Sequence, residues 1–291
     1  MREIAVFGNS YINKKENQIK HLFQVLRKID AKILIDREFY NFIKQNIEIN
    51  IDDCAVITDN NFKADIALSI GGDGTFLRTA EKIADKEIPI LGINVGRLGF
   101  LADVPVNDID AALLEIYKND FNVEDRNLLE LHISNYSKNY KRFALNEVAI
   151  LKRDNSSMIT IHVDIDNHYL NSYEADGLII ATPTGSTAYS LSVGGPILEP
   201  TANNFVLSPV AAHTLTMRPL VITNNYELTA NVQSRTNSFQ VSIDGTAYTL
   251  STNNLLSIKK APYTIKVVKR KNHTFFETLR DKLMWGLDKR V

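Results

Sequence analysis

The sequence predicts an α/β N-terminal domain over residues 1–123, a parallel sheet with flanking helices, followed by a β-rich, mostly antiparallel domain over residues 124–270. A C-terminal helix within 271–291 is expected to pack back on the first domain. Length is the first reason: 291 residues suffice for two cores at about 100–200 residues per domain. The second is texture, because apolar runs alternate with helical spacing to about residue 120 and then give way to alternating, β-branched segments. Glycine is the third. Of the 13 glycines, ten fall in three windows: Gly71, Gly72 and Gly74; Gly92, Gly96 and Gly99; and Gly177, Gly185, Gly194 and Gly195. Such clusters mark places where the backbone turns sharply or approaches something closely.

Ile4–Phe7 reads as a strand, and Ile19, Leu22, Phe23, Leu26 and Ile29 form one face of a helix. Lys32–Ile35 is a second strand. Asp65–Ile70 is an apolar run ending in Gly71-Gly72, and Thr75–Ala84 is helical with Phe76, Leu77, Ala80 and Ile83 on one face. Ile88–Ile93 is a further strand, and Asn107 is placed to cap a helix carrying Ile109, Ala112, Leu113 and Ile116. Strands alternating with helices imply a parallel sheet covered on both faces.

Beyond residue 124, Leu129–Ser134, Arg142–Leu151, Met158–Ile165, Tyr226–Gln233, Ser238–Ile243 and Tyr263–Val268 read as strands. Asp166-Asn167, Asn224-Asn225 and Asp244-Gly245 are turn signals between them. Asp244-Gly245-Thr246 reads as a hairpin turn rather than as a site. Phe275–Leu287, with Phe276, Leu279, Leu283 and Leu287 near helical spacing, is a helix whose apolar face and Trp285 need a partner.

Composition removes several classes. With 33 Lys+Arg against 34 Asp+Glu the chain has no basic excess for a nucleic acid or an anionic membrane. One cysteine, Cys54, makes no internal disulfide and suits a reducing compartment. No run of 18 apolar residues spans a membrane, and the N-terminus is too short and acidic for a signal peptide. The six histidines lack metal-ligand spacing, so no zinc site is expected.

The chemistry concentrates in the glycine windows. Gly71-Gly72-Asp73-Gly74 lies between a strand and a helix, at the carboxyl end of a parallel strand where open α/β sheets bind ligands. Glycines there expose backbone N–H groups, and the helix start favours anions, so phosphate is the natural ligand. The pattern is neither GxGxxG nor GxxxxGK[ST]. An acid inside such a loop repels phosphate unless it holds a metal or takes a proton from an attacking hydroxyl; the alternative is a tight turn with Asp73 capping the helix. The second window, Gly92-Ile93-Asn94-Val95-Gly96-Arg97-Leu98-Gly99-Phe100-Leu101, follows the next strand. In the third, Asp176–Pro196, a strand enters Pro183-Thr184-Gly185-Ser186-Thr187, rich in hydroxyls and suited to a flat, polar ligand.

Taken in order, Gly71–Gly74, Asn94–Leu101, Asn146-Glu147 and Asp176–Pro196 resemble the NAD kinase family, over about residues 65–270. The first element alone is also found in diacylglycerol-type and sphingosine kinases and in phosphofructokinases. The resemblance implies transfer of the γ-phosphoryl of ATP, or of polyphosphate, to the 2′-hydroxyl of the adenosine ribose of NAD. It implies Asp73 as proton acceptor, with Gly71, Gly72, Gly74 and Arg78 on the phosphates. Mg²⁺ or another divalent cation would accompany ATP, with no metal site from protein alone. Asp73, Gly74, Phe100, Asn146, Glu147, Asp176, Ser186, Thr187, Ala188, Tyr189, Ser190, Leu191 and Ser192 would contact NAD. The active site is expected between the domains, in a cytoplasmic homodimer or homotetramer with no nucleic-acid or membrane partner. Alternatives are a lipid kinase of related fold and a catalytically silent NAD(P)-binding regulator. Two departures stand out: Ala211-Ala212 precedes His213 where the family usually has proline, and Glu174 occupies an often basic position.

Overall fold

The computed structural model describes residues 2–9, 15–96, 99–153, 157–271 and 273–285. The chain forms two compact units, Met1–Asp125 with Ile265–Val291, and Arg126–Thr264.

The first unit contains β1 (Glu3–Gly8), α1 (Glu16–Lys28), β2 (Lys32–Asp36), α2 (Arg37–Asn46), β3 (Ala55–Ile57), β4 (Ile66–Gly71), α3 (Asp73–Ile83), β5 (Ile90–Asn94), β6 (Val104–Pro105) and α4 (Ile109–Lys118). Its sheet runs β5-β4-β1-β2-β3 with every pair parallel. The order reverses between β1 and β4, so the crevice that such sheets offer to ligands opens beside the end of β4. β4 is buried along its whole length, as a central parallel strand must be. Leu22, Phe23 and Leu26 of α1 and Phe39 and Ile43 of α2 pack with Ile4, Val6, Ile66 and Leu68 in one core.

Helix α2 and the start of α4 are among the features that differ from the sequence expectation. Helix α2 follows β2 directly, because Asp36 ends the strand and accepts a hydrogen bond from the Glu38 N–H at 3.2 Å. Asn107 does not cap α4; it lies inside a 3₁₀ turn, Val106–Asp108, entered from Pro105. Asp108 takes the cap position, with no side-chain capping bond.

The second unit starts within β7 (Phe121–Ile133) and continues through β8 (Phe143–Ala144), β9 (Glu147–Lys152), β10 (Ile159–Ile165), β11 (His168–Ala175), β12 (Gly177–Ala181), α5 (Tyr189–Ser192), β13 (Asn204–Val210), β14 (Leu220–Thr223), β15 (Leu228–Gln233), β16 (Ser238–Ile243) and β17 (Thr246–Ser251) to β18 (Leu256–Arg270). Six strands form one antiparallel sheet in the order β14-β13-β12-β9-β16-β17. A second antiparallel layer runs β11-β10-β15-β18. Val148, Ile150, Ile180 and Val241 of the first layer meet Ile161, Val163 and Val232 of the second in a shared core. These strands alternate inward apolar and outward polar residues, as Ile159–Ile165 shows.

The last stretch of β18 rejoins the first unit, where Val267 pairs with Ile90 of β5 in parallel. Helix α6 (Phe275–Leu283) starts with a capping box between Thr274 and Glu277. It ends four residues before the expected Leu287, with Met284 in the left-handed region; Leu287 lies outside the described residues. Only part of the expected apolar face is covered, since Leu279 is buried while Phe276 and Trp285 are exposed.

Candidate active site

The first cluster stands at the junction of β4 and α3. Gly72 is the N-cap and Asp73 the first residue of the helix, where the macrodipole favours a negative charge. The Asp73 carboxylate is held on both oxygens. Its Oδ2 accepts the Phe100 N–H at 3.0 Å, and its Oδ1 accepts those of Leu101 and Ala102 at 3.1 and 3.0 Å. The first two glycine windows therefore meet at one carboxylate. Gly99 permits this: a Cβ there would lie 1.9 Å from Asp73 Oδ1.

A Cβ on Gly72 or Gly74 would meet nothing within 4 Å, so the backbone at the head of α3 faces open space. The Thr75 and Phe76 N–H groups turn back to the Gly72 carbonyl at 2.9 and 3.1 Å, which leaves those of Asp73 and Gly74 at the helix head to meet an anion. Gly71 is different, because a Cβ there would lie 2.2 Å from Thr75 Oγ1. Arg78 is exposed one turn along, its guanidinium 3.4 Å from Thr75 Oγ1. A narrow cleft beside it is lined by Gly8, Asp36, Thr75, Arg78 and Lys82 among others. Helix α6 brings Lys282 to this cluster, with Nζ 3.9 Å from Asp73 Oδ2 and 5.1 Å from the Phe100 ring centroid. Arg97 and Leu98, part of the second glycine motif, lie outside the described residues.

The second cluster is built where β8 gives way to β9. Asp244, in the β16–β17 turn, accepts the Leu145 N–H at 2.8 Å on Oδ2 and those of Asn146 and Glu147 at 2.9 and 3.1 Å on Oδ1. From the other side, the Thr182 N–H donates to the Asn146 carbonyl at 2.9 Å and its hydroxyl to the Leu145 carbonyl at 2.6 Å. Gly185 packs against the same segment so closely that a Cβ would lie 2.0 Å from the Asn146 carbonyl oxygen. The main chain of Asn146 is thus fixed at both ends, while its carboxamide bonds to none of the described residues.

Glu147 is buried, and its Oε2 has no hydrogen-bond partner among the described residues. Burial pushes its carboxyl up to about 7; the charge of Asp244 adds to the rise and the Tyr189 N–H opposes it. Burial raises Asp244 as well, against the three N–H groups that favour its charged form.

The hydroxyl-rich block divides into inward and outward residues. Ser186 is buried, donating to the Pro183 carbonyl at 2.6 Å and accepting the Leu198 N–H at 3.0 Å. Ser190 is buried against Ser208, 2.8 Å between hydroxyls. These two serines brace the loop. Thr187, Ala188 and Leu191 are half-buried, and Tyr189 and Ser192 are exposed. Asp176 pairs with Lys152 at 2.7 Å. Glu174 is exposed on β11, and its carbonyl accepts the His213 N–H at 2.9 Å, so the two departures from the family pattern meet across one hydrogen bond.

Sequence reasoning did not select Lys282, Thr182 or the anchoring role of Asp244. Asp-Gly is so common a hairpin signal that nothing in it points to a second use of the carboxylate. Thr182 sat in plain view inside the hydroxyl-rich block. Nothing local links Lys282 to a loop more than half the chain away.

Two family models match this chain: the ATP-NAD kinase N-terminal domain over residues 13–121 and the ATP-NAD kinase C-terminal domain over 145–270. The chain belongs to the ATP-NAD kinase family. It is 50% identical over 289 residues to an NAD kinase of Bacteroides fragilis, covering 99% of this chain and 100% of the relative. It is 42% identical over 286 residues to an NAD kinase of Porphyromonas gingivalis, covering 98% and 99%. The fold matches a crystal structure of yeast NADH kinase complexed with NADH at a TM-score of 0.88 and 20% identity, over 100% of this chain and 90% of that one. It also matches an NAD kinase from Archaeoglobus fulgidus in complex with ATP, at 0.74 and 24% identity, over 96% and 99%.

Proposed function

We propose that this protein is an NAD kinase that transfers the γ-phosphoryl of ATP, or of another donor, to the 2′-hydroxyl of the adenosine ribose of NAD, giving NADP. The observation that carries the reading is the Asp73 carboxylate, fixed by three backbone N–H groups at the head of α3. A carboxylate cannot deprotonate a ribose hydroxyl in advance. Asp73 orients the hydroxyl and accepts its proton as the oxygen attacks phosphorus. The open backbone of Gly72 and Gly74 receives phosphate oxygens, and Arg78 adds positive charge beside them.

In the second unit, the Asn146 carboxamide offers a donor and an acceptor to the N6/N7 edge of adenine. Glu147 accepts from ribose hydroxyls, a contact that favours its charged form and works against its burial. Tyr189 and Ser192 supply exposed surface for the nucleotide, and Asp176 serves the nicotinamide ribose. Among the described residues no three His, Cys, Asp or Glu side chains are grouped to hold a metal. A divalent cation would be carried chiefly by the triphosphate and water and would supply neutralisation of phosphate charge. The proposal extends to a cytoplasmic homodimer or homotetramer, and sedimentation of the purified protein tests the subunit count.

Purified protein given NAD, ATP and Mg²⁺ should form NADP. Asp73→Asn should lose about 10²–10⁴ of the rate while still binding NAD. Binding of NAD with no NADP from ATP or polyphosphate would leave a silent regulator. Phosphorylation of a diacylglycerol or sphingoid base instead would identify a lipid kinase.

A further inference from the structure

We propose that Lys282, on the C-terminal helix, is a positioning residue for this phosphoryl transfer, acting through Asp73; the assignment rests on the NAD kinase reading. Its Nζ stands 3.9 Å from Asp73 Oδ2, the same oxygen that accepts the Phe100 N–H. It also lies over the Phe100 ring, 5.1 Å from the centroid. One residue thus gives its backbone N–H to the carboxylate and its aromatic face to the ammonium, and the three groups brace each other.

The helix that carries Lys282 is well anchored. Its start is closed by the reciprocal bonds of Thr274 and Glu277, and Thr278 and Leu279 are buried beneath it. The lysine itself is partly open to solvent, with its side chain 30% exposed against 32% for that of Asp73. It is therefore held near the carboxylate and still faces the space a ligand would enter.

Chemistry explains the need. Many phosphate loops carry a lysine that meets the β- and γ-phosphates, whereas Gly71-Gly72-Asp73-Gly74-Thr75 has none and instead places a negative charge at the helix start. A triphosphate approaching that carboxylate meets repulsion unless a cation is fixed beside it. As the 2′-oxygen bonds to the γ-phosphorus, its proton passes to Asp73 and the bond to the bridging oxygen breaks, releasing the diphosphate. Lys282 takes no part in the bond changes; its ammonium keeps Asp73 turned to the hydroxyl and offsets the phosphate charge.

The test uses the full chain, with initial rates measured at varied NAD and at varied ATP-Mg²⁺. Lys282→Met should lower kcat about 10- to 100-fold while KM for NAD stays within about twofold, and Lys282→Arg should retain most of kcat. Thermal melting of both variants should match wild type, because the side chain is solvent-facing. Unchanged kcat in Lys282→Met overturns the assignment. So does an equal loss in both variants with a lowered melting temperature, which marks a role in packing. An active wild type with an unaffected variant sinks only Lys282; a wild type that forms no NADP with any donor sinks the enzyme reading and this assignment together.

Discussion

Asp73 and Glu147 are the central acids of the two clusters, and they are held in opposite ways. Asp73 keeps partial exposure and receives three N–H groups and a nearby ammonium on its carboxylate. Glu147 is buried; among the described residues its Oε2 has no partner, its carboxyl meets the Tyr189 N–H, and its main-chain N–H is held by Asp244. One site immobilises both oxygens of the functional group; the other immobilises the backbone and leaves one carboxyl oxygen unsatisfied. The difference follows from location. A glycine-turned loop can wrap N–H groups around a functional side chain, whereas at the entry to β9 the N–H groups of Leu145, Asn146 and Glu147 are gathered by a side chain from elsewhere, Asp244.

The sharpest way to break this contrast is at Gly99. Gly99→Ala would push a methyl group into Asp73 Oδ1, from which an ideal Cβ lies 1.9 Å. The carboxylate must then leave its N–H cradle, and kcat should fall by about 10²–10³, the scale of removing preorganised electrostatics. Steady-state rates beside an NAD-binding measurement check this; an unchanged kcat would mean that the cradle is dispensable.

Asp244→Ala addresses the opposite arrangement. Three backbone N–H groups lose their acceptor, so stability should drop by about 3 kcal/mol in urea unfolding, with KM for NAD rising more than kcat falls. A variant of wild-type stability would show that Asn146 and Glu147 are positioned by Thr182 and Gly185 alone.

The smallest effect belongs to Glu147 and depends on pH. Its carboxyl lies at about 7 in the folded protein against an ordinary 4.5, so the folded state binds the proton more tightly than the unfolded chain. Stability is full below the unfolded value and is lost as pH rises toward 7. Glu147→Gln, neutral at every pH, should gain on wild type by about 2 kcal/mol between pH 5 and pH 8, with no difference below pH 4.5. Melting curves that stay parallel across that range would show that the site already satisfies the charge.

Much of this was legible in residue patterns. Ile4–Phe7, Asp65–Ile70 and Ile88–Ile93 were readable as parallel strands because buried parallel strands are continuous apolar runs. The Asp73 loop was readable because its glycines break a strand-to-helix boundary. Helix α2 was not, since Arg37–Asn46 is polar and only Phe39, Phe42 and Ile43 face inward. Strands β11, β13, β14 and β17 also escaped: the alternation of β11 is blurred by polar residues, and Pro209 interrupts β13. Within the hydroxyl-rich block, sequence identified the segment but could not sort Ser186 and Ser190, which brace, from Tyr189 and Ser192, which face outward. Direction depends on the 3₁₀ turn Thr184–Thr187 and the four-residue helix after it, too short to leave a period.

Asn146 has a further consequence. Its N–H and carbonyl are both bound, while its carboxamide bonds to none of the described residues. Were a planar base to dock against that carboxamide, as proposed, little main-chain freedom would remain to be lost, and recognition there would carry a small entropic penalty. The second unit would therefore greet its nucleotide as a rigid template with one swivelling contact, and affinity would be set by the fit of the base rather than by the ordering of the protein.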